Sequence, residues 1–190
     1  MKLIYIDACM RPGSRTKRIA ERLIQELSKK YDVETISLFH PDYPIVESSI
    51  LKDRENGIVP EKYVEQARQI AEADRIVIAA PFWDMSFPSA LKVFFENMSL
   101  FGVTFGDNGK ECIGLCKQAK VLYITTRGMN IKTGDPLEQA TPYIKALSHL
   151  WGLGELYVVS AENLDYSTPE ELENRVQIAI SEGLRICKDF

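Results

Sequence analysis

Short apolar runs alternate with helix-period segments along the whole chain. Nearly continuous stretches of Ile, Val, Leu and Tyr fall at residues 3–6, 33–38, 76–80, 121–126 and 156–160. Runs of this length without in–out alternation predict parallel strands covered on both faces. Between them, apolar side chains recur every three or four positions. Ile19, Ala20, Leu23, Ile24 and Leu27 make one stripe, and Tyr63, Val64, Ala67, Ile70 and Ala71 another, each predicting an amphipathic helix. Pro60 and Pro88 stand where a first-turn proline is tolerated. Thr168-Pro-Glu-Glu171 spells a capping box that opens the last helix. Pro142 predicts that the 137–151 segment kinks or begins later than its apolar pattern. Strand and helix alternating in this way predict a doubly wound α/β domain over residues 1–190, with helices on both faces of a five-stranded parallel sheet.

In that architecture ligands bind beyond the carboxyl ends of the strands, at the point where strand order reverses. The segments to read for chemistry are therefore 8–16, 81–87 and 126–130. The first, A-C-M-R-P-G-S-R-T, runs into an amphipathic helix whose unpaired N–H groups suit a phosphate. Ser14 and Thr16 offer hydroxyls and Arg15 a charged fork; simple capping of the helix is the plainer use of the same residues. The same nine residues contain Cys9-x5-Arg15-Thr16, the spacing of a cysteine phosphatase loop. That reading needs Cys9 as a thiolate and a nearby acid, for which Asp135 is available. The second loop packs Phe82, Trp83, Met85 and Phe87 into six residues, more apolar area than a surface turn carries without a flat ligand, core or partner to cover it. In the third, T-T-R-G-M-N, Gly128 permits a tight turn close to a ligand.

Composition narrows the partners. A net charge of −4 with scattered cations argues against a nucleic-acid partner. The N-terminal apolar run is broken by Asp7 and is too short for a signal peptide or membrane span, so a cytoplasmic location with no membrane partner is expected. Four cysteines form no disulfide framework. Cys112 and Cys116 lack a second ligand pair, since only His40 and His149 are available, and no metal is expected.

Read together, the three loops are similar to the FMN-dependent NADH:quinone oxidoreductase and azoreductase family, also described as acyl-carrier-protein phosphodiesterase-like. The stretch A-D-R-I-V-I-A-A-P-F-W-D-M-S-F-P-S-A-L-K-V-F-F-E resembles its strand, Pro-aromatic-Asn turn and Leu-Lys helix. F-G-V-T-F at 101–105, T-T-R-G and A-T-P-Y-I follow in the same order. The resemblance implies a flavodoxin-like homodimer with sheet order 2-1-3-4-5, FMN at the strand ends and NADH or NADPH as electron donor. It implies two-electron ping-pong reduction of quinones, azo compounds or nitroaromatics on the cofactor, with no catalytic side chain.

By position, the resemblance puts Cys9 near the FMN phosphate and Ser14, Arg15 and Thr16 on the phosphate turn. Pro81, Phe82, Trp83, Asp84 and Met85 fall on the turn that holds the flavin ring, and Thr126, Arg127, Gly128 and Met129 lie along the ring's edge. Phe39, Tyr43 and Phe105 are expected to line the substrate pocket, with residues 39–59 as a lid. Asp84 stands where the family has Asn, and an ionised carboxylate beside the flavin is expected to lower its potential. Met129 replaces a second Gly, which narrows that edge, and Trp83 for Tyr enlarges the wall. A cysteine phosphatase and a flavodoxin-like electron carrier are the alternatives. The first accounts for one loop only, and the second needs an exposed flavin edge with an acidic docking surface.

Overall fold

The computed structural model describes residues 1–39 and 42–190. Its strands β1 (Lys2–Asp7), β2 (Asp32–Ser37), β3 (Arg75–Ala79), β6 (Lys120–Thr126) and β7 (Leu156–Ala161) form one parallel sheet in the order β2-β1-β3-β6-β7. A two-stranded antiparallel ribbon, β4 (Phe105–Asp107) with β5 (Cys112–Gly114), is inserted before β6. Leaving the ribbon aside, this is the 2-1-3-4-5 order the resemblance implies.

The strands are apolar on both faces because helices cover both. Leu3, Tyr5, Val77, Ala79, Leu122 and Ile124 pack under α1 (Arg15–Leu27) and α6 (Pro169–Asp189). Ile4, Ile6, Ile76, Ile78, Val121 and Tyr123 belong to the opposite core, with α3 (Glu61–Ala71), α4 (Ser89–Met98) and α5 (Ala140–Trp151). The α1 stripe behaves as its spacing demands. Ile19, Ala20, Leu23 and Leu27 are buried and Ile24 is half-buried, and a fully buried Leu contributes roughly 1.5–3 kcal/mol. Gly183 of α6 lets the two helices close, because a Cβ there would stand 2.4 Å from Leu23 Cδ1.

Helix starts follow local chemistry. Thr168 and Glu171 make the reciprocal capping box, with Thr168 N donating to Glu171 at 2.8 Å. Pro60 and Pro88 are themselves the N-caps of α3 and α4. The helix α5 starts at Ala140, so Pro142 lies in its first turn, where the missing N–H costs no intrahelical bond. The ribbon and one helix among the described residues escaped the periodicity. The ribbon strands have three residues each. The helix α2 (Ser48–Glu55) buries no residue, so it carries no apolar stripe to read. His40 and Pro41, part of the expected lid, lie outside the described residues. The rest of that connection is tied to α4: Asn97 Nδ2 donates to Pro44 O at 2.9 Å and Arg54 Nη1 to Glu96 O at 3.1 Å. No helix among the described residues is long and apolar enough to cross a membrane.

Candidate functional site

The sheet order reverses between β1 and β3, and the backbone stays paired there just past both strands. Ala8 N donates to Ala79 O at 2.8 Å, and Phe82 N to Thr126 O at 3.1 Å. The loops 8–16, 81–87 and 126–130 thus leave the same end of the sheet side by side.

In the first loop Ser14 is the N-cap of α1, its Oγ accepting from Lys17 N at 3.3 Å. The opening N–H groups of α1 have no carbonyl four residues back and carry the positive end of the helix dipole. Beside them lies a cavity of about 470 Å³ walled by Arg11, Gly13, Ser14, Lys17 and Phe39, among others. Beneath it is a carboxylate the sequence reading passed over. Asp7 is 4% exposed, accepts from Cys9 N at 3.0 Å and pairs with Lys17 Nζ at 2.9 Å. The hydrogen bond to Asp7 raises the Lys17 amine above its ordinary value. The only sequence sign of Asp7 was a charge interrupting an apolar strand.

This geometry corrects the phosphatase alternative. Cys9 is 3% exposed and its thiol faces Ala79 O at 3.7 Å. Burial, helped by the Asp7 carboxylate, pushes the thiol up to about 12. A nucleophilic thiolate needs the opposite shift. Arg15 is also not where a phosphate grip would hold it, since its Nη1 donates to Asp165 Oδ1 at 2.6 Å. Asp135 serves as a local cap for Leu137 N at 2.9 Å.

The second loop is a tight turn closed from both sides: Trp83 N donates to Ser86 O at 3.1 Å and Ser86 N to Trp83 O at 2.9 Å. Its central residues Asp84 and Met85 are left-handed, with φ of 50° and 61°. Such backbone in non-glycine residues costs of order 1–3 kcal/mol each and concentrates at ligand sites. The four large apolar side chains divide evenly. Phe82 and Phe87 are each 8% exposed and belong to the core, Phe87 lying edge-on to Tyr143 at 5.1 Å. Trp83 and Met85, at 39% and 38%, face outward with Asp84. Pro81 is buried. Met85 O accepts from Gln139 N at 2.9 Å, which ties this turn to the start of α5.

The third loop is held from below. Thr126 Oγ1 shares a 2.7 Å hydrogen bond with Thr16 Oγ1, and Thr16 is fully buried. Thr16 therefore presents backbone, not hydroxyl, at the helix start. Arg127 corrects a second expectation. Its side chain is 0% exposed; Nη1 donates to Ile131 O at 3.0 Å and Nη2 to Thr133 Oγ1 at 2.9 Å. Glu138 and Glu162 lie 3.9 and 3.6 Å from the guanidinium, and the Phe82 ring is 5.6 Å away. Arg127 N donates to Ala161 O, and its carbonyl accepts from Leu164 N. It shapes the loop from inside through Nη1 and Nη2, while its buried Nε has no partner. Gly128 is required for a reason other than the turn: a Cβ there would lie 1.9 Å from Asp165 Oδ2. Met129 is 38% exposed.

The expected pocket residues do not converge. Phe39 walls the cavity beside the first loop. Tyr43 packs on Phe94 at 5.3 Å, with its hydroxyl on Gln66. The Phe105 ring sits edge-on to Phe101 at 5.8 Å, in the ribbon. Asp7, Glu138, Glu162 and Asp165 were not found from the sequence, because acids scattered over the chain carry no spacing signal.

A family model for the flavodoxin-like fold matches residues 1–182. An FMN-dependent NADH:quinone oxidoreductase of Clostridium beijerinckii is 30% identical over 200 residues, which span 100% of this chain and 99% of that protein. A second relative, FMN-dependent NADH:quinone oxidoreductase 2 of Clostridium acetobutylicum, is 28% identical with the same coverage. Among solved structures, an azoreductase from Bacillus anthracis superposes with a TM-score of 0.85 at 19% identity, covering 100% of both chains. An FMN-dependent NADH-azoreductase from the same species, in complex with FMN, gives 0.81 at 21% identity over 98% of this chain and 99% of that one. The switch-point loops, the sheet order and these matches lead to one conclusion: the chain belongs to the flavodoxin-like fold family.

Proposed function

We propose that this protein is an FMN-dependent oxidoreductase that takes electrons from NADH or NADPH and reduces quinones, azo compounds or nitroaromatics by two-electron ping-pong transfer. The observation that carries the proposal is the Trp83–Ser86 turn. Two left-handed non-glycine residues present Trp83 and Met85 to solvent at the strand ends, beside a helix start suited to a phosphate. Relatives matched over 99% of their length are named FMN-dependent NADH:quinone oxidoreductases, which supports the cofactor and the quinone part of the reaction.

The residues present fit FMN. The opening N–H groups of α1 would hold the phosphate, with Ser14 as cap and Arg11 and Lys17 at the cavity wall. The turn at 83–85 and the exposed Met129 edge would hold the flat ring. FMN held there would supply the two-electron redox chemistry. The chain supplies the cradle and a wall that keeps planar substrates against the ring, and burial pushes the Cys9 thiol up to about 12, away from a nucleophile's role. A second copy of the chain completes the molecule. Phe101, Leu115 and Leu137 expose 67%, 43% and 56% of their surface, apolar area that suits a dimer contact.

The test is the absorbance of purified protein, expected to show flavin at about one per chain, with NADH oxidation that depends on a soluble quinone. A colourless protein that cannot be reconstituted with FMN refutes the proposal. Sedimentation at the mass of one chain refutes the dimer alone.

A further inference from the structure

Arg15 opens α1, yet its side chain leaves the helix start and crosses 150 residues of sequence to Asp165. The carboxylate is held there by backbone on either side. Asp165 N donates to Gly128 O at 3.0 Å, Leu164 N to Arg127 O at 3.1 Å, and Asn163 N to Met129 O at 2.9 Å. Asn163 takes a left-handed φ of 63° to complete this ladder. Gly128 completes the fit, because any side chain at 128 would occupy the position of the Asp165 carboxylate. The ion pair therefore joins the turn after β1 to the loop after β6, with the β7–α6 connection as its anchor.

We propose that Asp165, acting through Arg15, is a positioning residue that sets the spacing between the phosphate turn and the ring-edge loop. This rests on the FMN reading. FMN is a two-ended ligand with a phosphate at one end and a rigid ring at the other, so the two seats must stand at a fixed separation. A displacement of about 1 Å in such a pre-set arrangement is enough to lose affinity or rate. Arg15 is accordingly a strut between two loops and not a phosphate ligand. Ordinary stability is a poor explanation for the pair, since Arg15 and Asp165 keep 30% and 61% of their side chains exposed and such pairs contribute little.

The experiment measures the dissociation constants of FMN and of riboflavin, which lacks the phosphate, by quenching of flavin fluorescence in the full chain. Arg15→Gln and Asp165→Asn are each expected to weaken FMN about threefold, the double variant no further, and riboflavin not at all. The exchanged pair Arg15→Asp with Asp165→Arg is expected to recover most of the loss. If Arg15 instead grips the phosphate, Asp165→Asn leaves FMN unchanged or tightens it, and the exchanged pair is the worst of the set; that result overturns the proposal. Equal weakening of FMN and riboflavin also overturns it, because it marks general damage to the ring loop. Wild-type protein that binds neither ligand overturns the FMN reading itself, whereas normal wild-type binding with silent variants overturns the strut alone.

Discussion

Replacing Arg127 by Met removes the centre of a buried charge cluster. The guanidinium and the Glu138 side chain are both 0% exposed, and Glu162 is 23% exposed. Glu138 keeps one partner, Thr141 N at 2.8 Å on Oε1, while its Oε2 has none. Arg127→Met thus leaves a buried carboxylate with no countercharge and frees the carbonyl of Ile131 and the hydroxyl of Thr133. Removing one partner of a buried pair costs about 3–5 kcal/mol, because the remaining charge stays desolvated. In a chain of this size each kcal/mol lowers Tm by about 2–4 °C, so a fall of roughly 6–20 °C is expected. Removing both charges is a different perturbation. Arg127→Met with Glu138→Met replaces the pair by apolar groups of similar length and is expected to recover most of the stability. Urea unfolding followed by circular dichroism measures both, with the midpoint compared at constant m-value. A single variant within about 1 kcal/mol of wild type, or a double variant less stable than the single, would falsify the assignment of Arg127 as an internal support of the third loop.

Other outcomes test other parts of the structure. Brief alkylation of the native protein at pH 8 is expected to label exposed Cys112 and spare Cys9, Cys116 and Cys187, with all four labelled in denaturant; rapid native labelling of Cys9 by mass spectrometry contradicts its burial. Burial raises these three buried thiols from 9.0 to about 12, 12 and 11 respectively. The unfolded chain therefore ionises first as pH rises. Their contribution is complete below about pH 9 and is lost between there and the folded values, so stability should fall over that interval and not below it. Gly183→Ala forces a methyl against the Leu23 side chain, and an overpacking cost of about 1–3 kcal/mol, offset by the roughly 1 kcal/mol that Ala gains over Gly inside a helix, predicts a lower urea midpoint; a neutral result means the Leu23 side chain can move aside. Asp84→Asn in FMN-loaded protein is expected to raise the flavin midpoint potential by removing a negative charge from the turn at 83–86. An unchanged potential in spectroelectrochemistry places the carboxylate away from the ring.

The sequence by itself determined the layers of this protein. Runs such as 76–80 and 121–126 are apolar without alternation because helices cover both faces of those strands, and helix stripes such as Ile19, Leu23 and Leu27 need a single buried side. Local physics of this kind is written in spacing, so the alternation of strand and helix and the three loops at the strand ends were legible, whereas strand order came from the family resemblance. A helix without a buried face and a ribbon of three-residue strands leave no such spacing, and both went unread. Only the tertiary structure decided what each side chain in the loops does. Phe82 and Trp83 are neighbours of similar chemistry, yet one is core and the other faces solvent. Arg127 and Arg15 looked like ligand cations, and the fold gave Arg127 the carboxylates of Glu138 and Glu162 in the interior and Arg15 the more exposed carboxylate of Asp165. Cys9 lost its nucleophile role to burial beside Asp7. The physical reason is common to all of these: a charge or thiol takes its state from neighbours in space, and those neighbours lie as far as 150 residues away in sequence.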